Sequence, residues 1–110
     1  MRKTALQDLV RINMGVSYNG TINVQIGVPG GGRIPLLPVG NKHIRLKFKS
    51  KQTLPAKVRK VIDALDNMEE IAGTISQRAE HPLSGKITYD LHMPMEHAKK
   101  LFPEAERIEI

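Results

Sequence analysis

The sequence lacks cysteine and tryptophan, and four aromatic residues are its whole supply: Tyr18, Phe48, Tyr89 and Phe102. The absence of cysteine excludes disulfides and thiolate metal sites, and it fits a reducing compartment. No apolar run approaches the roughly 20 residues of a membrane-spanning helix, and residues 1–8 are too polar for a signal peptide. We therefore expect a cytoplasmic protein without a membrane partner.

Acidic residues are absent from residues 42–60, here called the basic segment. This segment carries eight of the positive charges, and the formal net charge of +6 falls to −2 without it. Such a local excess predicts an anionic partner rather than a generally basic surface. The basic residues are Lys42, Arg45, Lys47, Lys49, Lys51, Lys57, Arg59 and Lys60.

Within the basic segment, residues 43–49 alternate between polar and apolar side chains, which predicts a half-buried strand. Ile44, Leu46 and Phe48 would face the core. His43, Arg45, Lys47 and Lys49 would then form a row on the solvent face, with steps of roughly 6 to 7 Å, close to the phosphate spacing of an extended nucleic acid. The alternative is an edge strand whose lysines discourage aggregation.

The second half of the basic segment predicts a helix start, with Thr53 as a cap and Pro55 in the first turn. Lys57, Arg59 and Lys60 fall in the opening turns, where the helix dipole disfavours positive charge. A bound anion would explain this placement, because it would meet both the cations and the free N–H groups. The alternative is a solvated helix face with local ion pairs.

Upstream, residues 10–17 and 21–26 alternate in the same way and predict a β-hairpin. A two-residue turn would mix the two faces, whereas a three-residue loop of Tyr18, Asn19 and Gly20 keeps one face apolar. This register places Val16 opposite Ile22, Met14 opposite Val24 and Ile12 opposite Ile26.

Residues 27–41 contain five glycines and three prolines and predict an irregular loop. Gly30, Gly31, Gly32 and Arg33 could surround a phosphate, yet the segment matches neither the dinucleotide-binding nor the nucleoside-triphosphate glycine pattern. The alternative is a flexible hairpin tip.

The remaining sequence predicts two helices and two strands. An apolar stripe over residues 54–75 indicates one long core helix. Residues 86–93 indicate a strand, residues 95–102 a short helix between prolines, and residues 107–110 a final strand. The fold class is therefore α+β, a single domain over residues 1–110, with a mostly antiparallel or mixed sheet covered by the long helix.

Candidate chemistry outside the basic segment is sparse. Asp90, His92, Glu96 and His97 could form a metal or acid–base site, but they lack the spacing of known motifs. No serine has the context of a nucleophile. We therefore predict a protein that is not an enzyme and has no metal or cofactor.

Three functions follow from these patterns. The first is nucleic-acid binding through phosphate contacts with weak sequence preference, because aromatic stacking residues are few. The second is binding of a nucleotide or another compact phosphorylated ligand under the glycine-rich loop. The third is assembly, with an acidic protein partner or a second copy in a homo-oligomer.

Overall fold

A computed structural model describes residues 9–27 and 43–107. Five strands form one sheet: β1 (Val10–Val16), β2 (Ile22–Gly27), β3 (His43–Phe48), β4 (Ile75–Glu80) and β5 (Ile87–Met93). Their order across the sheet is β3-β2-β1-β5-β4, and all four pairings are antiparallel. Two helices, α1 (Ala56–Asp66) and α2 (Met95–Leu101), complete an α+β fold, which confirms the predicted class.

The β1–β2 hairpin has the predicted register. Val16 pairs with Ile22, Met14 with Val24 and Ile12 with Ile26. The Ser17 N–H donates to the Thr21 carbonyl at 2.9 Å and closes the three-residue loop. Gly20 has a φ of +91°, a conformation that residues with a Cβ rarely adopt.

One face of the sheet carries the hydrophobic core. Ile12 on the central strand and Leu91 on β5 are completely buried, and β3 adds the partly buried Ile44, Leu46 and Phe48, as predicted. Helix α1 contributes Val58, Ile62 and Leu65 to the same cluster. Each fully buried aliphatic side chain stabilises the fold by roughly 1.5 to 3 kcal/mol, so this face holds both helices against the sheet.

Helix α1 ends nine residues earlier than the apolar stripe predicted, at Asp66 rather than Ile75. Met68 adopts a left-handed φ of +61°. The Glu69 N–H donates to the Ala64 carbonyl at 2.8 Å and the Met68 N–H to the Leu65 carbonyl at 3.0 Å, which together form a Schellman motif. A glycine usually occupies the left-handed position of this motif, and its absence explains why the sequence does not reveal the helix end.

Strand β4 was not predicted, because its residues were expected to follow or extend the helix. Ile75 is 59% exposed, and β4 is an edge strand, so the end of the apolar stripe does not belong to the core-facing helix. Two further details differ from prediction. Thr53 does not cap α1, because its hydroxyl donates to the Ser50 carbonyl at 2.7 Å and closes the 3-10 turn Lys51–Thr53. Arg107 ends the 3-10 helix Pro103–Arg107 instead of starting a strand, and residues 108–110 lie outside the described ranges.

Asp66 joins the end of α1 to the sheet. One oxygen of its carboxylate accepts a hydrogen bond from the Tyr89 hydroxyl at 2.6 Å and another from the Arg78 guanidinium at 2.8 Å. Burial raises the pKa of Tyr89 to about 12, and the bond to Asp66 contributes in the same direction. The hydrogen bond to Asp66 also raises the pKa of Arg78 above its ordinary value.

No helix within residues 9–27 and 43–107 is long and apolar enough to cross a lipid bilayer.

Replacing Met68 by glycine is expected to stabilise the protein. The left-handed conformation costs a residue with a Cβ roughly 1 to 2 kcal/mol, and glycine loses about 0.5 to 1 kcal/mol through backbone entropy. The side chain is 92% exposed, so little packing is lost. Urea denaturation should show Met68→Gly more stable than Met68→Ala, the control that keeps a Cβ; equal stabilities would contradict a strained helix end.

The raised pKa of Tyr89, caused first by burial and then by the hydrogen bond to Asp66, predicts a loss of stability at high pH. The folded state raises this pKa to about 12 from 10.0, so the stabilisation is complete below pH 10 and disappears as the pH rises through 12. Denaturant titrations across this interval should show the free energy of unfolding falling faster for the wild type than for Tyr89→Phe. Parallel curves for the two proteins would show that folding does not favour the neutral form of the Tyr89 hydroxyl.

Candidate functional site

The face of the sheet opposite the core, here called the open face, is polar. Alternation along each strand sends every second side chain to this face. Asn23, Gln25, Arg45 and Lys47 on it are all exposed. Neither helix covers this face, because both bury their apolar sides in the core cluster on the other side. The open face is therefore a polar surface that neither helix covers.

The predicted row of cations on β3 belongs to the open face. Arg45 pairs across the sheet with Gln25, and Lys47 pairs with Asn23. Lys49 follows directly after the strand and is also exposed, whereas His43 at the start of β3 is half-buried. The row thus combines positive charges at the edge of the sheet with amide groups on the neighbouring strand.

A shallow groove of about 370 Å³ crosses the open face from β3 to β1. Gly15 on β1 forms part of its floor, and a Cβ added there would lie only 3.2 Å from the Lys86 Cε. The missing side chain at position 15 therefore leaves room for Lys86 to lie over the central strand. The polar lining of the groove consists of the amides of Asn13, Asn23 and Gln25 and the cations of Arg45, Lys47 and Lys86.

The sequence did not single out Lys86 as a site residue. Its position follows from the pairing of Gly15 with Thr88 and Val16 with Ile87, which brings the start of β5 beside the end of β1. The alternation of residues 86–93 placed Lys86 at the start of a predicted strand, but only the pairing of β5 with β1 shows which groups it meets. The three amides were missed for the same reason.

The charge on the open face is one-sided. Among its described strand residues, Asp90 is the single acid, and it accepts a hydrogen bond from the Arg11 guanidinium at 2.7 Å. Arg45, Lys47 and Lys86 take part in none of the ion pairs formed within residues 9–27 and 43–107. Three cations thus border the groove, and Asp90, whose carboxylate also lies 3.5 Å from the Asn13 Nδ2, pairs with Arg11 rather than with any of them.

The basic residues at the start of α1 lie on the other side of the sheet, in the layer of the helices. Lys51 forms an ion pair with Asp63, and the Arg59 guanidinium donates to the Gln52 carbonyl at 3.3 Å. Lys57 lines a depression between α1 and α2, and Lys60 is exposed. The structure therefore does not bring this group together with the β3 row on one surface.

Five predicted site residues lie outside the described ranges: Gly30, Gly31, Gly32, Arg33 and Lys42. The weak constellation of Asp90, His92, Glu96 and His97 is divided between two sides of the sheet. Asp90 and His92 belong to the open face, and His97 packs against Gly73 in the helical layer. Across residues 9–27 and 43–107, no three acidic or histidine side chains lie close enough to hold a metal ion.

Aromatic rings contribute little to the open face. Phe48 points into the core, where its ring centre lies 6.3 Å from that of Phe102. Tyr18 is 87% exposed at the tip of the β1–β2 hairpin, and its Cβ lies 4.0 Å from the position of a Cβ at Gly85. One exposed ring therefore stands at the same end of the sheet as Lys86.

The chain matches none of the protein-family models, curated proteins or solved structures with which it was compared. The chemistry of the open face must therefore be inferred from its own groups. Guanidinium and ammonium groups donate to phosphate oxygens, and side-chain amides both donate and accept. Such a surface can hold an extended polyanion and contact its uncharged parts as well.

Proposed function

We propose that this protein binds nucleic acid through phosphate contacts on the open face. The observation that carries the proposal is the groove bordered by Arg45, Lys47 and Lys86, none of which forms an ion pair within residues 9–27 and 43–107. Cations that neutralise phosphates release condensed counterions, and this release supplies most of the affinity of sequence-independent binding.

The spacing of the cations fits an extended phosphate backbone. Arg45 and Lys47 are two residues apart on one strand, a separation of roughly 6 to 7 Å. Lys86 lies over β1, and β1 is two strand spacings, or roughly 9 to 10 Å, from β3. A nucleic-acid strand that follows β3 would thus meet cations along one side, and Lys86 would contact it from the other.

The amides of Asn13, Asn23 and Gln25 lie between these cations. Side-chain amides can form hydrogen bonds with the edges of unpaired bases, but each can donate or accept and therefore discriminates weakly without a fixed partner. Tyr18 is an exposed aromatic ring at the hairpin end of this surface, where it could stack on a base. Weak sequence preference is the expected outcome.

Protection of the sheet edge is the main alternative for the β3 lysines, because β3 is an edge strand. That role would account for Lys47 and Lys49. It would not account for Lys86, which lies over the central strand of the sheet. The position of Lys86 therefore favours ligand binding.

In this proposal the protein is a binding protein without catalytic activity, and its location is the cytoplasm. Nucleotide binding under the glycine-rich loop and contact with an acidic protein remain predictions from the sequence.

Fluorescence anisotropy with labelled single-stranded DNA, duplex DNA and RNA across a range of salt concentrations distinguishes these functions. A log–log salt slope of about −2 to −3 is expected for three neutralised phosphates, and no binding at low salt would refute the proposal.

Removing one cation from the groove should weaken binding evenly. Lys47→Ala is expected to reduce affinity for all sequences to a similar degree and to lower the salt slope by about one. Lys60→Ala removes the same charge from the helical layer and serves as the control, with a much smaller effect. Equal losses in the two variants would show that net charge, rather than the open face, governs binding.

Removing the acid from the open face should strengthen binding. Asp90→Asn frees Arg11 from its ion pair, and the net charge of this face becomes more positive by one. We expect tighter binding and a steeper salt slope, with a stability change below about 1 kcal/mol, because the Arg11 side chain is half exposed. Unchanged affinity in anisotropy would place the bound phosphates elsewhere.

A further inference from the structure

A second depression lies on the helical side of the sheet, between α1, α2 and the chain that leads into β4. Its volume is about 240 Å³. Val61 and Ile71 form apolar walls with Leu101, and the buried Met93 of β5 contributes to the floor. This depression, here called the interhelical groove, is separate from the open face because the sheet lies between them.

The polar groups of the interhelical groove are mainly basic. Lys57 from the first turn of α1 and Lys100 from the last turn of α2 both line it, together with His97. No acidic residue is among its described lining residues, and neither lysine belongs to an ion pair formed within residues 9–27 and 43–107. Asp63 and Asp66 on the same helix pair with Lys51 and Arg78 instead.

The wall between Ile71 and Thr74 depends on Gly73. Its φ is +75°, and an added Cβ would lie 2.9 Å from Cε1 of the His97 ring. The imidazole can therefore pack directly on the backbone of this turn. This contact places the exposed His97 of α2 beside the chain that leads into β4, where both His97 and Thr74 line the groove.

Two like charges beside an apolar depression favour a ligand that is both anionic and apolar. An apolar body would remove the walls from water, with a gain of about 25 cal/mol for each Å² buried. An anionic head would interact with both ammonium groups through charge-assisted hydrogen bonds. Inorganic phosphate would bind only the ammonium groups, and a neutral alcohol would bury only the apolar walls.

We propose that the interhelical groove binds a small amphipathic carboxylate. Drug-sized ligands occupy pockets of about 300 to 1,000 Å³, so a volume of about 240 Å³ suits a smaller molecule, such as a medium-chain fatty acid. The carboxylate lies between Lys57 and Lys100, and the chain packs on Val61, Ile71 and Leu101. This site is independent of nucleic-acid binding on the open face.

Sodium octanoate is the probe, with octan-1-ol and inorganic phosphate as matched controls for its two halves. In nitrogen-15 NMR titrations of the full chain, octanoate should cause saturable shifts of the amides of Val61, Ile71 and Leu101. Octan-1-ol and phosphate should bind at least about tenfold more weakly, because each lacks one half of the interaction. Absence of a saturable shift with octanoate would overturn the proposal, and equal binding of octan-1-ol would refute the role of the lysines.

Variants of α2 provide a second test. Lys100→Ala should weaken octanoate binding by about tenfold, as expected for the loss of a hydrogen bond to a charged group. Lys99→Ala removes the neighbouring lysine, which does not line the groove, and should leave binding unchanged. Both lysines are exposed, so circular dichroism should show intact folding in both variants. Equal affinities of the two variants would overturn the assignment.

Discussion

Burial of one face of the five-stranded sheet is the constraint on which the rest of the structure depends. Ile12 and Leu91 are completely buried on that face, and both helices pack there. Because strand side chains alternate between faces, the same burial sends Arg45 and Lys47 to the opposite side. A shift of register by one residue would exchange the two sets, so the core that stabilises the fold also determines where the charged surface lies.

Much of this arrangement could be predicted from strand alternation and turn chemistry. The hairpin register followed from Gly20 and from keeping one face apolar, and the exposed row on β3 followed from its period of two. The end of α1 could not be predicted, because Met68 occupies a left-handed position where a glycine usually marks the end of a helix. The helical spacing of apolar residues continued past Met68 to Ile75, so the first residue of β4 was assigned to the helix and the strand was not predicted.

The candidate site shows a similar division between local and long-range information. Arg45 and Lys47 are neighbours along one strand, so the sequence was enough to group them. Lys86 reaches the groove because β5 pairs with β1 and because Gly15 has no side chain, and both facts are properties of the tertiary structure. Lys57 shows the opposite case. It is close in sequence to the β3 row, yet it lies in the helical layer, on the other side of the sheet.

The most direct test of nucleic-acid binding on the open face is an NMR titration that follows side-chain amides with a single-stranded oligonucleotide. The NH2 signals of Asn13, Asn23 and Gln25 report on the groove itself, whereas Gln52 and Asn67 lie in the helical layer. We predict saturable shifts of the first three signals at low salt, which diminish as salt is added, and little change in the other two. Shifts confined to Gln52 and Asn67, or shifts in none of the five, would contradict binding on the open face.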